Sequence, residues 1–394
     1  MFDEADRLVV RHPLFITVFF TVPSRHPAGS CTRRGCLMKR AITIAIVISL
    51  FIFSQDTSWA YRDYFTSEQK SQLAKIQTVL VEAVALTDKG AVDAGAIRAV
   101  VASRLSELGY TMITDGSKPY DVVFKVKCEQ RKTWEGTATA GGDADLPDSP
   151  SRVWKGPACQ LNYTLGGMKI KWQKEVRTDF EDAITAAQKT AAGDPGDYAM
   201  KKLTERLADY DFPVTVTADW GQDERLLKLL DSSKNQMRRL KIIALLGEML
   251  SDSALPRLKE ALKDKDLARQ AAESLGNIGR DGIPLLIDIM KNSQDNDLRI
   301  SAAKGLGQVG GLHGDTTAVL PLLEILKDPK TDWTLLTEIA WALGKMPDKR
   351  SIEPLYDLDK KLQKLRDPEN MTLKKLKEAV FWAIKQCDTW DQYS

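Results

Sequence analysis

The dipeptide Leu-Gly recurs four times in the second half of this chain, at Leu246-Gly247, Leu275-Gly276, Leu306-Gly307 and Leu343-Gly344, with spacings of 29, 31 and 37 residues. Each occurrence follows a stretch rich in Ala and apolar residues: Ile242-Ile243-Ala244-Leu245, Ala271-Ala272-Glu273-Ser274, Ala302-Ala303-Lys304-Gly305 and Glu338-Ile339-Ala340-Trp341-Ala342. A second track holds Pro256, Pro284, Pro321 and Pro354, each just ahead of Leu-rich turns such as Leu285-Leu286 and Leu322-Leu323. A period of this length is one supersecondary unit, too small to bury its own apolar face, so it has to stack on its neighbours. Proline is tolerated in the first turn of a helix, and small residues in the next helix let two helices approach closely. The predicted unit is therefore a helical hairpin stacked about five times, opening near residues 223–250 and closing with a helix over 372–386.

The units read Ala254-Leu255-Pro256-Arg257-Leu258-Lys259-Glu260-Ala261-Leu262 with Arg269-Gln270-Ala271-Ala272-Glu273-Ser274-Leu275-Gly276, and Ile283-Pro284-Leu285-Leu286 with Arg299-Ile300-Ser301-Ala302-Ala303-Lys304-Gly305-Leu306-Gly307. They resemble the HEAT-like repeats first described in phycobilisome lyases. The resemblance covers about 175 residues. It implies an all-α solenoid but singles out no function, because this repeat serves many unrelated partners. The fourth unit departs from the pattern, with Trp333 and Thr334 where Arg is usual, and Pro368 with the lysine-rich turn near residues 360–364 marks the fifth as a cap.

Upstream, residues 61–218 carry a mixed pattern that predicts an α+β domain. A capped helix starts at Thr66 and Ser67, residues 76–86 either continue it or form a strand, the strand being favoured over their second half, and residues 93–108 form a helix stopped by Gly109. Strands follow over 110–114 and 120–134, then a long Gly/Asp/Ser/Pro loop over 136–157. Residues 159–165 and 168–177 flank Gly166-Gly167 as a hairpin. Helices over 180–192 and 197–210 and an edge strand over 212–216 complete the domain, and the solenoid takes residues 219–394.

At the other end, Met38-Lys39-Arg40 precedes thirteen uncharged residues, 41–53, and then Ser58-Trp59-Ala60. A basic start, a short apolar run and a small-x-small exit read as a secretory signal peptide over 38–60, cleaved between Ala60 and Tyr61. On this reading Met38 is the initiator and residues 1–37 are a non-native extension; the competing reading is an uncleaved signal anchor. The apolar run falls short of the roughly 20 residues of a comfortable transmembrane helix, so no stable span is expected after cleavage. The expected destination is the periplasm or the exterior.

Export gives the cysteines a meaning, since disulfides persist in oxidising compartments. Period-two alternation puts Cys128 on one face with Val122, Phe124 and Val126, and Cys159 with Leu161, Tyr163 and Leu165. Two apolar-facing cysteines are either a bridge or a pair of buried thiols, and Cys387 on the last helix reads as a small core residue.

Composition narrows the function. Of 56 basic and 54 acidic side chains, 7 and 4 fall within residues 1–60, which leaves the remainder at −1. A nucleic-acid binder would need a strongly basic domain to neutralise phosphates, so nucleic acid is not the expected partner. Beyond residue 60 the sole histidine is His313, in a Gly-rich stretch read as a solvated loop, and one histidine cannot build the paired His/Glu iron site of a hydroxylase on such repeats. No nucleophile-elbow, zincin or phosphate-loop pattern is present. Asp143, Asp145 and Asp148 could offer oxygens to calcium but lack the Gly and distal Glu of an EF-hand, so they read as solvated loop acids. No catalytic residue, cofactor or metal is expected.

Two binding surfaces remain. Glu273, Lys304 and Glu338 lie on the second helices of successive units, which line the concave wall where solenoids bind. Arg269 and Arg299, beside Asp266 and Asp297, read as satisfying turns. In the α+β domain, Trp134, Trp154 and Trp172 interleave with Arg131, Lys132, Arg152, Lys155, Lys169, Lys171 and Lys174. Such a cluster either stacks a sugar or anionic envelope polymer or simply packs and solvates a sheet. The leading reading is an exported, non-enzymatic scaffold that holds another protein or peptide in the solenoid groove. The alternative is a module for a cell-wall polymer or small ligand, and lyase-type activity by family analogy comes third, since export and the missing catalytic cluster weigh against it.

Overall fold

The computed structural model describes residues 65–134, 154–166, 168–367 and 369–393. The expected signal peptide and cleavage point at Ala60 and Tyr61, and the acids Asp143, Asp145 and Asp148, lie outside these residues.

Helix α1 (Ser67–Leu73) opens with a reciprocal capping box, in which Thr66 accepts from the Gln69 N–H and the Gln69 side chain accepts from the Thr66 N–H. Strand β1 (Thr78–Thr87) turns back into β2 (Gly90–Val92), α2 (Gly95–Ser106) crosses over, and β3 (Thr111–Ile113) and β4 (Val122–Trp134) return parallel to β1. Gly109, at φ +80°, makes the turn after α2 that a side chain would resist. Antiparallel β5 (Trp154–Leu165) and β6 (Met168–Arg177) extend the sheet to the order β2-β1-β4-β5-β6, with β3 also beside β1. One face is apolar, with Val79, Val81, Phe124, Val126, Leu161 and Tyr163 buried; the other carries polar pairs such as Glu82 and Lys125. The loop predicted over 136–157 gives up its last part to β5, which begins at Trp154. Its Gly and Pro content suggested a loop, but pairing with the far end of β4 carries these residues into the sheet.

Helices α3 (Ala183–Lys189) and α4 (Pro195–Asp209) follow, and α4 packs on β4, β5 and β6. The expected edge strand over 212–216 is instead helix α5 (Phe212–Asp219). Pro213 in the first turn fixes a helical φ, and Phe212, Val214, Val216, Thr217 and Ala218 are all buried, so the helix has no polar face to give it a readable period.

Five hairpins then stack: α6 (Asp223–Ser232) with α7 (Gln236–Glu248), α8 (Leu255–Ala261) with α9 (Ala268–Ile278), α10 (Ile283–Asn292) with α11 (Asn296–His313), α12 (Val319–Lys327) with α13 (Trp333–Lys345), and α14 (Ile352–Gln363) with α15 (Met371–Tyr393). Pro256 and Pro284 sit in the first turns of α8 and α10, and Asn235, Asp295 and Asp332 cap α7, α11 and α13 through side-chain oxygens. Second helices of neighbouring units carry most of the direct contact between units, while first helices touch only lightly. Tighter spacing on that side makes it the inner wall.

The Leu-Gly track is the seam of that wall. A Cβ at Gly247 would stand 2.6 Å from Ser274 Cβ, one at Gly276 2.2 Å from the Gly305 carbonyl, one at Gly307 3.0 Å from Ala342 Cα, and one at Gly344 2.2 Å from the Trp382 ring. Ser274 uses the proximity to donate to the Ile243 carbonyl at 3.0 Å.

The sheet and the array share one continuous core, running from Leu73 to Cys387. At their join the Gln222 amide donates to the Leu73 and Ile76 carbonyls at 2.9 and 3.0 Å. Arg225 lies over the Tyr110 ring, 4.3 Å from its centroid, and donates to the Leu108 carbonyl at 2.7 Å. Asp211 is gripped by Arg104 and Arg238 at 3.1 and 3.0 Å. Tyr110 and Thr217 pair their hydroxyls at 3.0 Å, and burial pushes the Tyr110 phenol well above its ordinary range. Array end and sheet therefore cover each other's apolar surface, the task of a capping repeat.

Candidate functional site

The inner wall collects opposite charges in a row. Glu273 on α9 receives the Lys304 ammonium from α11 at 3.4 Å, with the Ser301 hydroxyl donating to the same carboxylate at 3.4 Å. Arg269, one turn earlier on α9, reaches across to Asp297 at 2.8 Å and Asp295 at 3.7 Å. Arg269, read as satisfying the turn beside Asp266, instead bridges units, because the N-terminus of α11 lies beside α9. Arg299 donates to the Met290 carbonyl at 2.8 Å and so fastens the turn between α10 and α11.

Glu338 on α13 is half-buried and joins this row through space. Burial raises its carboxyl above the ordinary glutamate range, Lys304 and Lys345 act in the opposite sense, and Glu273 adds to the rise. Lys345, at the end of α13, stays exposed at the groove while its stem crosses two glycines, a Cβ at Gly307 or Gly311 standing 3.6 or 3.7 Å from it. Its surroundings pull the ammonium below the usual lysine range, against the attraction of Glu338. Neither side chain makes a hydrogen bond or an ion pair within 4 Å among the described residues. Between them Trp341 packs on Trp382 of α15, with ring centroids 4.9 Å apart at 47°.

The sign of the Glu338 shift makes a prediction. A carboxyl raised by folding binds its proton more tightly in the native state, so its contribution is favourable below the unfolded value and is lost as pH rises through the folded one. Glu338→Gln should raise the urea midpoint at pH 7, and the difference should vanish near pH 4; equal midpoints at both values would show no such burden.

The remaining sequence-predicted positions separate. Cys128 and Cys159 are direct partners across β4 and β5, fully buried, and joined as a disulfide with Cα atoms 3.9 Å apart. Trp134 and Trp154 are register partners on the last rung of the same ribbon. Trp172 is elsewhere, half-buried against Phe124 and Tyr163 with centroids 6.1 and 5.5 Å away. Nine residues of β5 separate Trp154 from Tyr163, about 30 Å of strand, so the three tryptophans do not make one surface. His313 is the last residue of α11 rather than part of a loop, half-buried and 2.9 Å from the Asn277 carbonyl. It closes one side of a recess of about 430 Å³ lined also by Asp252, Leu255, Ile278 and Gly279. Among the described residues no group of three or more His, Cys, Asp or Glu converges as a metal site.

The family model for HEAT repeats matches residues 224–307 and again residues 283–367. Residues 224–367 are an array of HEAT repeats. The match begins within α6 and ends past α14, so the sheet and the final helix of the HEAT array lie beyond it. No curated protein matches the chain. A repeat scaffold or protein-binding role is what this array carries, and among the described residues no helix is long and apolar enough to cross a membrane.

Two members of the wall escaped the sequence reading. Trp341 and Lys345 stand three and seven residues after Glu338, on one stripe of a helix, and that spacing was the available signal. Trp382 reaches the wall across Gly344, which only packing reveals.

Proposed function

We propose that this chain is an exported, non-enzymatic binding protein of the cell envelope that holds a segment of another protein along the inner wall of its HEAT array. The observation that carries the reading is the charged row from Glu273 to Lys345 with the Trp341–Trp382 pair beside it: an exposed, structurally braced surface on the side where solenoids bind. The sequence of residues 38–60 supports export, and so does a buried bridge between Cys128 and Cys159, a bond suited to an oxidising compartment. The sheet acts as the N-terminal cap, and its rigid join keeps the first hairpin in register with the rest.

A photo-crosslinking amino acid placed at Lys304 of the full chain, in cells, is expected to capture a discrete protein adduct. The same probe at Leu320, exposed on first helix α12, should capture far less. Equal capture at both positions, or capture at Leu320 alone, would overturn the inner wall as the binding face. Recovery of the chain with Met38 or an earlier residue at its N-terminus would overturn cleavage after Ala60.

A further inference from the structure

The inner wall is not uniform in what it offers. Glu273 and Lys304 satisfy each other, as do Arg269 and Asp297, so the middle of the row presents closed ion pairs. On α13 the charges stay apart. Glu338 and Lys345 are seven residues apart on a helix, about 10.5 Å along its axis and nearly on one stripe. Glu338 is half-buried where its charge is penalised, Lys345 is exposed, and neither makes a hydrogen bond or an ion pair within 4 Å among the described residues. A half-buried charge such as Glu338 without a direct partner costs free energy that a complementary group recovers, and the exposed Lys345 is open to one.

Trp341 lies between them on the same helix, half-buried, and its ring is held by Trp382. Trp382 is itself fixed by Gly344, where a Cβ would meet its ring at 2.2 Å. A braced aromatic pair accepts an apolar side chain with little loss of its own freedom. Side chains of an extended chain alternate faces at about 3.3 Å per residue, so residues i, i+2 and i+4 share one face and span about 13 Å, enough for long side chains to meet both Glu338 and Lys345.

We propose that this stripe of α13 binds an extended peptide segment of mixed charge, with a basic side chain against Glu338, an apolar side chain on Trp341 and Trp382, and an acidic side chain against Lys345. The proposal rests on the inner wall being the binding face. It commits to mixed charge because a uniformly acidic segment would meet Glu338 and Glu273, and a uniformly basic one Lys345 and Lys304.

The test uses the full chain and three fluorescein-labelled ten-residue peptides in a Gly/Ser background, read by fluorescence anisotropy. Each carries a central leucine, with lysine and glutamate, two lysines or two glutamates placed two residues to either side of it. The mixed peptide is expected to bind about tenfold more tightly than either of the others. Glu338→Lys should transfer the preference to the doubly acidic peptide, Lys345→Glu to the doubly basic one, and Trp341→Ala should weaken all three; circular dichroism checks that each variant is folded. Equal binding of the three peptides, a preference that neither charge variant moves, or no binding up to about 1 mM overturns the proposal. Crosslinking at Lys304 separates the two claims: capture there without mixed-charge preference removes only the peptide chemistry, and loss of capture there removes the binding face itself.

Discussion

Gly276→Ala is expected to destabilise the array by about 3 kcal/mol, at the upper end of what overpacking costs. The atoms a new methyl would meet are the Gly305 carbonyl oxygen at 2.2 Å and the Gly305 Cα at 2.3 Å, both backbone, so no rotamer change relieves the clash. Helices α9 and α11 would have to separate, and the separation would also open the contact of Gly305 with the Ala272 carbonyl, where a Cβ would stand at 2.6 Å. In a stack stabilised by nearest-neighbour interfaces, damage to one interface uncouples the units on either side. Urea unfolding of Gly276→Ala should therefore show a lower midpoint and a shallower slope, as the sheet with the first hairpins unfolds apart from the rest. Gly311→Ala is the control. Its Cβ would meet only the Lys345 stem at 3.7 Å, an ordinary contact, and loss of a helical glycine should stabilise by up to about 1 kcal/mol. Identical midpoints for the two variants would show that the Leu-Gly seam carries no special packing.

That seam is also why so much of the array was legible. Helical period, Pro in the first turn and small residues in the second helix are local signals, and they fixed the phase of each hairpin, which put Glu273, Lys304 and Glu338 on second helices. The Gly166 turn and the helix before Gly109 were legible for the same reason. What depended on distant partners was not. Helix α5 resembled a strand because its residues are buried on every side by elements far away in sequence. The contact of Gln222 with the Leu73 carbonyl spans 149 residues and has no signature at either end. Arg269 chose the next unit's Asp297 over its neighbour Asp266 because the N-terminus of α11 lies beside α9. Trp172 carried the same basic and aromatic flanks as Trp134 and Trp154, yet its ring faces Phe124 and Tyr163.

Removing the bridge between Cys128 and Cys159 is the second large effect expected. The cysteines are 31 residues apart in sequence, and closing a loop of that size in the unfolded chain contributes about 3 to 4 kcal/mol on the chain-entropy account. Both are fully buried on the apolar face of the sheet that also carries Phe124, Val126, Leu161 and Tyr163, so alanine at the two positions keeps the face apolar and isolates the effect of the cross-link. The double variant Cys128→Ala, Cys159→Ala should lose a large part of the urea midpoint, and added reductant should lower the midpoint of the parent chain but not of the variant. Alkylation decides whether the bond exists in the cell. Chain recovered from cells and denatured without reductant should take one label on the described cysteines, at Cys387, which is buried and free; labels at Cys128 and Cys159 as well would mean two thiols. That second outcome would leave the sheet folded around buried cysteines, as its register allows, but would withdraw the structural support for an oxidising compartment. The first would tie the fold to export, because the same two residues that staple β4 to β5 would hold only where disulfides persist.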